Sequence, residues 1–219
     1  MQYSFPLFRS PNYYAEGLEK DVVVLHATTS RWVSAFNWLM EWGSNASAHG
    51  LVDANQAAYL VDPILWSWHS GKVSYPTTRG LRAMRDRGNP NRYTWGIEHC
   101  LYYDINEDGA ITEDERQAYG TMVDNSVQMI RDFEKLRGKP FTEDEIITHA
   151  DLRLGKPDLE ITRNRVLFQL GLTNRKPDLR DLDMQIQILK KTRDGLLHVL
   201  IKMLMQKVGE LRVLLALNK

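Results

Sequence analysis

The side chains of this 219-residue chain with the most chemical capacity are six histidines, a single cysteine and an uneven distribution of carboxylates. The histidines stand at positions 26, 49, 69, 99, 149 and 198. His26 comes near the end of the apolar run VVVLHA, His149 near the end of IITHA, and Asp158 follows within THADLRLGKPD. Two imidazoles and a carboxylate, delivered from strand ends and a loop, can make three sides of a tetrahedral zinc site. The fourth position is then left for water, as in a hydrolytic centre. The same histidines also read as polar side chains satisfied inside a core. Spacing alone does not join His26 to His149.

A second metal signal is local. DINEDGAITEDE, from Asp104 to Glu115, fits the twelve-residue EF-hand loop at its diagnostic places. The pattern offers Asp104, Asn106, Asp108, the Ala110 carbonyl, Thr112 and Glu115 to a calcium ion, with Gly109 at the sharp turn and Ile111 behind it. What precedes it looks like a strand, so the expectation is a calcium loop grafted between a strand and a helix. The alternative is an acidic, solvated loop that caps the helix after it.

These residues need a scaffold, and composition bounds it. Hydrophobic residues are 43% and charged residues 26%, which suits a folded globular chain and excludes a disordered one. Cys100 alone excludes an internal disulfide framework and a four-cysteine zinc cluster. Lys+Arg and Asp+Glu are both 28, so net charge names no partner. Its placement is uneven: residues 175–219 hold ten Lys/Arg and five Asp/Glu, a net of +5, leaving −5 on the rest. The first residues, MQYSFPLFRSPNYYAEG, show no signal-peptide pattern, and no apolar run reaches the ~18 residues of a membrane span. The expectation is synthesis in a cytoplasm without a signal peptide and no membrane insertion.

The periodicities then place the elements. Residues 1–20 read as an irregular aromatic arm. Val22–Ala27 suits a buried strand, and a helix over about 31–42 follows, with Thr28, Thr29 and Ser30 as candidate caps. Ser47–Val52 and Ala57–Val61 read as strands around a turn, 63–92 as a long irregular segment, and Tyr93–Tyr103 as another strand. Glu113–Leu136 carries a helical apolar period, Ile146–Ala150 is a short apolar run, and Leu159–Leu170 reads as a last helix. Beyond the polar hinge at Asn174–Asp178, Leu182, Ile186, Leu189, Leu196, Leu200 and Met203 keep a seven-residue rhythm. The expected fold class is therefore α/β: a central mixed β-sheet flanked by helices over 1–174, plus a C-terminal all-α module over 179–219.

In this order, VVVLHATTS, SAHGLVD, WHSG, NPNRYTWGIE and THADLRLGKPD resemble the zinc-dependent N-acetylmuramoyl-L-alanine amidases of the type-2, peptidoglycan-recognition-protein-like family. The likeness runs over roughly residues 20–172. With the separate C-terminal module it looks like a bacteriophage endolysin or a related bacterial autolysin. The resemblance implies zinc held by His26, His149 and Asp158. It implies Glu98 as the carboxylate that activates water, Lys156 as the stabiliser of the oxyanion, and His69 as a residue of the substrate groove. It makes His49 structural. Some members carry a catalytic tyrosine where this chain has Ala48, which leaves more of the water-activating work to Glu98. The metal loop also departs from the family, with Pro157 before the aspartate and Leu159 after it.

The implied activity is hydrolysis of the amide between N-acetylmuramic acid and L-alanine in bacterial peptidoglycan, lysing the wall. Release from the cytoplasm would fall to a separate pore-forming protein. Trp66 and Trp68 beside His69 could stack on sugar rings, while the arginines of 79–92 suit either peptide carboxylates or a solvated face. The implied cofactors are Zn2+ and a structural Ca2+ that pins the end of the Glu98 strand. The C-terminal helices suggest a homo-oligomer, a wall anchor, or both, because so broad an apolar face is not left in water; the alternative is that they pack back on the body of the chain. The rival function is a non-catalytic peptidoglycan-binding module, against which the three zinc-ligand types count. Nucleic acid is not an expected partner, since the body is acidic and the total neutral.

Overall fold

The computed structural model describes residues 3–14, 20–28, 30–84, 88–100, 112–154, 156 and 159–175. Asp158, the loop positions Asp104, Asn106, Asp108 and Ala110, and the expected module at 179–219 lie outside them. The strands are β1 (Tyr13–Tyr14), β2 (Val22–Thr28), β3 (Gly50–Val52), β4 (Ala57–Tyr59), β5 (Trp66–Ser67), β6 (Thr94–Cys100) and β7 (Ile146–Thr148). The helices are α1 (Trp32–Met40), α2 (Thr78–Met84), α3 (Glu113–Arg137), α4 (His149–Leu152) and α5 (Glu160–Gln169). One sheet runs β4-β3-β6-β2-β7, and β1 and β5 make a small antiparallel pair. β3, β6, β2 and β7 are mutually parallel and β4 is antiparallel to β3. The chain is thus a mixed central sheet flanked by helices, as its patterning suggested.

β2 is the middle of the sheet's parallel half, and its sequence shows why. A strand buried on both faces needs apolar, β-branched residues throughout rather than alternation. Val22, Val23, Val24 and Leu25 are all buried. Val23 and Leu25 face one side, where they join Trp95, Ile97 and the apolar row Tyr119, Met122, Val123, Ile130 and Phe133 of α3. Val22 and Val24 face the other side, against Ala83, Met84 and Leu152 of α2 and α4. A separate cluster joins Ala35 and Leu39 of α1 to Leu51 of β3 and Ala58 of β4.

α3 is the longest element. It begins at a reciprocal capping box, in which Glu115 N–H donates to Thr112 Oγ1 and Thr112 N–H donates to Glu115 Oε2. It ends at Gly138, whose φ of 72° is the left-handed turn that glycine adopts without strain. Thr112 and Glu115, expected on calcium, form the helix cap, and the rest of the loop lies outside the described residues.

Several boundaries differ from expectation. The segment 63–92 is not irregular throughout: it holds β5, α2 and a 3-10 turn at Pro90–Arg92. These elements are too short to show a period. Of the expected caps of α1, Thr28 and Ser30 hydrogen-bond to each other at 2.6 Å, and Arg31 takes the cap position without a side-chain bond. Strand pairing at Ser47–Val52 narrows to Gly50–Val52, because Ser47 N–H donates to the Trp68 carbonyl in the loop that crosses there. No helix among the described residues is long and apolar enough to cross a membrane.

Candidate active site

The parallel register brings the chemistry together at one edge. His26 of β2 sits beside Glu98 of β6, and Leu25 beside Thr148 of β7. The residue after Thr148 is His149, so β7 delivers it next to His26. This is the crevice outside the carboxyl ends of parallel strands, where α/β sheets commonly hold ligands.

The resulting geometry is close. His26 Nδ1 lies 2.8 Å from His149 Nδ1, and Glu98 Oε1 lies 3.9 Å from His26 Nδ1. His26 is 2% exposed and the Glu98 side chain 15%, so the carboxylate is the member of the group that solvent reaches. His149 Nε2 is buried without a hydrogen-bond partner. Burial above all, then the positive charge of Lys156, holds the His149 ring neutral down to about pH 4. His26 is pushed well below the usual histidine range by burial and by its three histidine neighbours. Burial raises Glu98 to about 7, with Lys156 opposing. Lys156 is itself exposed, yet its charge reaches all three groups.

Two neutral imidazoles with adjoining Nδ1 atoms and a nearby carboxylate suit a divalent cation of borderline softness such as zinc, while the Lys156 charge opposes it. The fit is incomplete among the described residues, where no group of three His, Cys, Asp or Glu side chains forms a metal cluster. Asp158, the expected third ligand, lies outside them.

The other expected residues fall into place around this pair. His69 is buried rather than open on a groove. Its Nδ1 meets His26 Nε2 at 2.8 Å and Ser70 Oγ at 2.8 Å, and its Nε2 meets Thr94 Oγ1 at 2.8 Å. The WHSG loop is fixed by Asn91, whose Oδ1 accepts from the backbone N–H of His69 and of Ser70. That bond accounts for the pairing of the WHSG and NPNR motifs. Gly96 is required on β6 because a Cβ there would collide with the His69 ring. Trp68 is half-buried, its ring packed against Tyr14 with centroids 5.2 Å apart and its indole N–H without a partner. His49 is fully engaged: the Gly96 N–H donates to Nδ1, which leaves Nε2–H for the Leu65 carbonyl. Arg79 turns inward to Asp151 and Glu160, so it is not free for substrate carboxylates.

Asp151 and Thr94 were not anticipated. Asp151 is 2% exposed; it accepts from Thr148 N–H at 2.9 Å and from Thr77 Oγ1 at 2.6 Å. It thereby clamps the turn that carries His149. Its signal was the capping pattern Thr-x-x-Asp in THAD, where an oxygen three residues into a helix reaches back to the cap. Nothing in the sequence marks Thr94 apart from its place in the strand.

Comparison with known proteins accords with this architecture. The structure described as PlyL superposes with a TM-score of 0.51 at 18% identity, covering 76% of this chain and 97% of that one. A mutant endolysin from Bacillus subtilis gives 0.52 at 13% identity over 77% and 99%. A selenomethionine derivative of AmpD gives 0.53 at 14% over 76% and 96%. At such identities the likeness establishes the fold alone. No curated protein sequence matches the chain significantly. The sequence itself matches the family described as N-acetylmuramoyl-L-alanine amidase over residues 16–159, about two thirds of its length, and the chain belongs to that family.

Proposed function

We propose that this protein is a zinc-dependent peptidoglycan hydrolase that cuts the amide between N-acetylmuramic acid and L-alanine. Family membership supports the amidase activity, and the observation that carries the rest is the 2.8 Å approach of His26 Nδ1 to His149 Nδ1 beside Glu98. His26, His149 and Asp158 would hold the ion. When bound, it would supply Lewis acidity to a water and to the scissile carbonyl. Glu98 takes the proton of the attacking water and returns it to the departing nitrogen, a role worth ~100- to 10,000-fold in rate. Lys156 steadies the negative charge that develops on the carbonyl oxygen. Trp68, half-buried against Tyr14, offers part of an apolar ring to the sugar or peptide.

The decisive experiment incubates the full chain with purified peptidoglycan and assays newly freed alanine amino termini, with and without a zinc chelator. Chelator-sensitive release is expected. Release of reducing sugar would make the protein a glycosidase, and binding without release would make it the non-catalytic recognition module.

Two further assignments belong to the same proposal. Residues 104–115 hold a structural Ca2+. The oxygen pattern of the sequence supports this, and the burial of Glu115 at the start of α3 is compatible with it. Residues 179–219 form a helical module that joins copies of the chain and binds the wall, as in an endolysin of phage origin released by a separate pore. Their heptad rhythm and net positive charge support it.

A further inference from the structure

The geometry points to His69 as a positioning residue: a hydrogen-bond chain that starts at the Pro90 carbonyl fixes its tautomer, and through it presents His26 Nδ1 bare toward His149. The inference rests on the proposed role of His26 as a metal ligand, and its first readout does not need the metal.

Hydrogen positions are not seen directly, but the partners fix them here. Thr94 Oγ1 lies 2.8 Å from the Pro90 carbonyl oxygen. Two oxygens that close repel unless a proton lies between them, and a carbonyl has none to give. The Thr94 hydroxyl proton is therefore committed to Pro90. Toward His69, Thr94 Oγ1 can only accept, so the proton of the His69 ring sits on Nε2, 2.8 Å away. A neutral imidazole protonated on Nε2 is bare on Nδ1. His69 Nδ1 has one in-plane lone pair, and His26 Nε2 and the rotatable Ser70 hydroxyl both lie 2.8 Å from it. Two bare ring nitrogens that close would repel, so the proton between the rings is carried by His26 Nε2. His26 is left with its proton on Nε2 and a lone pair on Nδ1. That lone pair is the one aimed at His149 Nδ1, 2.8 Å off. In the metal-free protein the His149 ring supplies the proton of that contact.

The surroundings hold the chain in place. His69, Thr94 and His26 are 8%, 0% and 2% exposed, which leaves little access for a competing water. Asn91 pins the backbone of His69 and Ser70, and Gly96 leaves the space in which the ring lies. A metal-ligating histidine whose second nitrogen donates to a fixed acceptor is oriented and made more basic by that partner. Here the acceptor is a second histidine, and its own acceptor character is set by a backbone carbonyl.

The test is 15N NMR of the imidazole rings in metal-free, full-length protein, followed by zinc affinity measured in competition with a chromophoric chelator. The expected result is His26 and His69 both protonated on Nε2. His69→Asn keeps an acceptor oxygen where Nδ1 stood and is expected to bind zinc close to wild type. His69→Leu removes it and is expected to weaken zinc binding ~10- to 100-fold. Thr94→Val, which frees the His69 tautomer without emptying the site, is expected to give mixed tautomers at His26, and Thr94→Ser to restore one. These two variants carry the test if His69→Leu does not fold. A His26 proton on Nδ1 in the wild type overturns the inference. Equal zinc affinities for His69→Asn and His69→Leu overturn it too, since packing alone would then explain the residue. A wild type that binds no zinc but holds His26 on Nε2 refutes the zinc reading and leaves the tautomer chain standing.

Discussion

Glu98 and Lys20 show how differently two partly desolvated charges are used. Glu98 stands at the open side of the histidine pair, where removal of its charge leaves the proposed ligands in place. Glu98→Gln is accordingly expected to lower kcat by ~100- to 10,000-fold while zinc content, measured by atomic absorption, stays at wild-type level. Lys20 is far from solvent, 4% exposed, with Nζ donating to the Pro63 carbonyl at 3.0 Å. Burial lowers its pKa to about 8, Asp62 only partly offsetting the cost. An unfolded lysine titrates near ~10.4, so between pH 8 and that value the unfolded state holds the extra proton. Stability contributed by this site therefore rises with pH across that window. Urea denaturation of the wild type against Lys20→Met is expected to show the wild type gaining on the variant from pH 8 to about 10, by up to about 3 kcal/mol. His26 and His149 were readable as ligand candidates only through the ordered motifs, since an imidazole at a strand end also reads as a satisfied core side chain, and Asp158 lies outside the described residues. Thr94 was not, since a threonine in a strand is ordinary and its role exists only through the Pro90 carbonyl.

At the scale of elements, the sheet edge and the β7–α4 turn carry the most concentrated polar contacts. The arm at residues 3–8 covers β4: Phe8 N–H donates to the Tyr59 carbonyl and Tyr59 N–H to the Pro6 carbonyl. An uncovered edge strand would invite pairing with other chains. Asp132 of α3 fastens this arm, accepting from Ser4 N–H at 2.7 Å, the Tyr59 hydroxyl at 3.0 Å and Lys135 Nζ at 2.8 Å. Burial would raise its pKa, but these donors prevail and hold it below the usual carboxylate range. Asp132→Ala is expected to cost about 2–4 kcal/mol in urea denaturation, because the Tyr59 hydroxyl is left buried without its acceptor. A depressed carboxylate stabilises above its unfolded pKa of ~3.9 and loses that contribution as pH falls further. The gap between wild type and variant should therefore narrow below about pH 4. Long periodic elements such as α3 and the unbroken apolar run of β2 were readable from sequence, since burial on a face or on both faces imposes a pattern. β5, α2 and α4 were not, since elements of two to seven residues are defined by partners distant in the chain.

Across the whole molecule, the site sits on a rigid frame: one face of the sheet is filled by α3 and α5, the other divided between α1 and the α2–α4 pair. The family and the mixed sheet follow from the ordered motifs, and composition alone could not have supplied either. The proposed C-terminal module is tested by sedimentation of the full chain against a 1–174 truncation. The full chain is expected to sediment as an oligomer and the truncation as a monomer with undiminished activity on soluble fragments. Equal sedimentation of both would remove residues 179–219 from any assembly role. The strand order has a consequence for how the protein is made. β2, early in the chain, is flanked in the sheet by β6 and β7, which come 66 or more residues after its last residue. On the ribosome, His26 emerges long before the strand that delivers His149. A nascent chain cannot assemble the pair until nearly the whole region that matches the amidase family has left the exit tunnel, so translation itself delays the moment at which the paired histidines can exist.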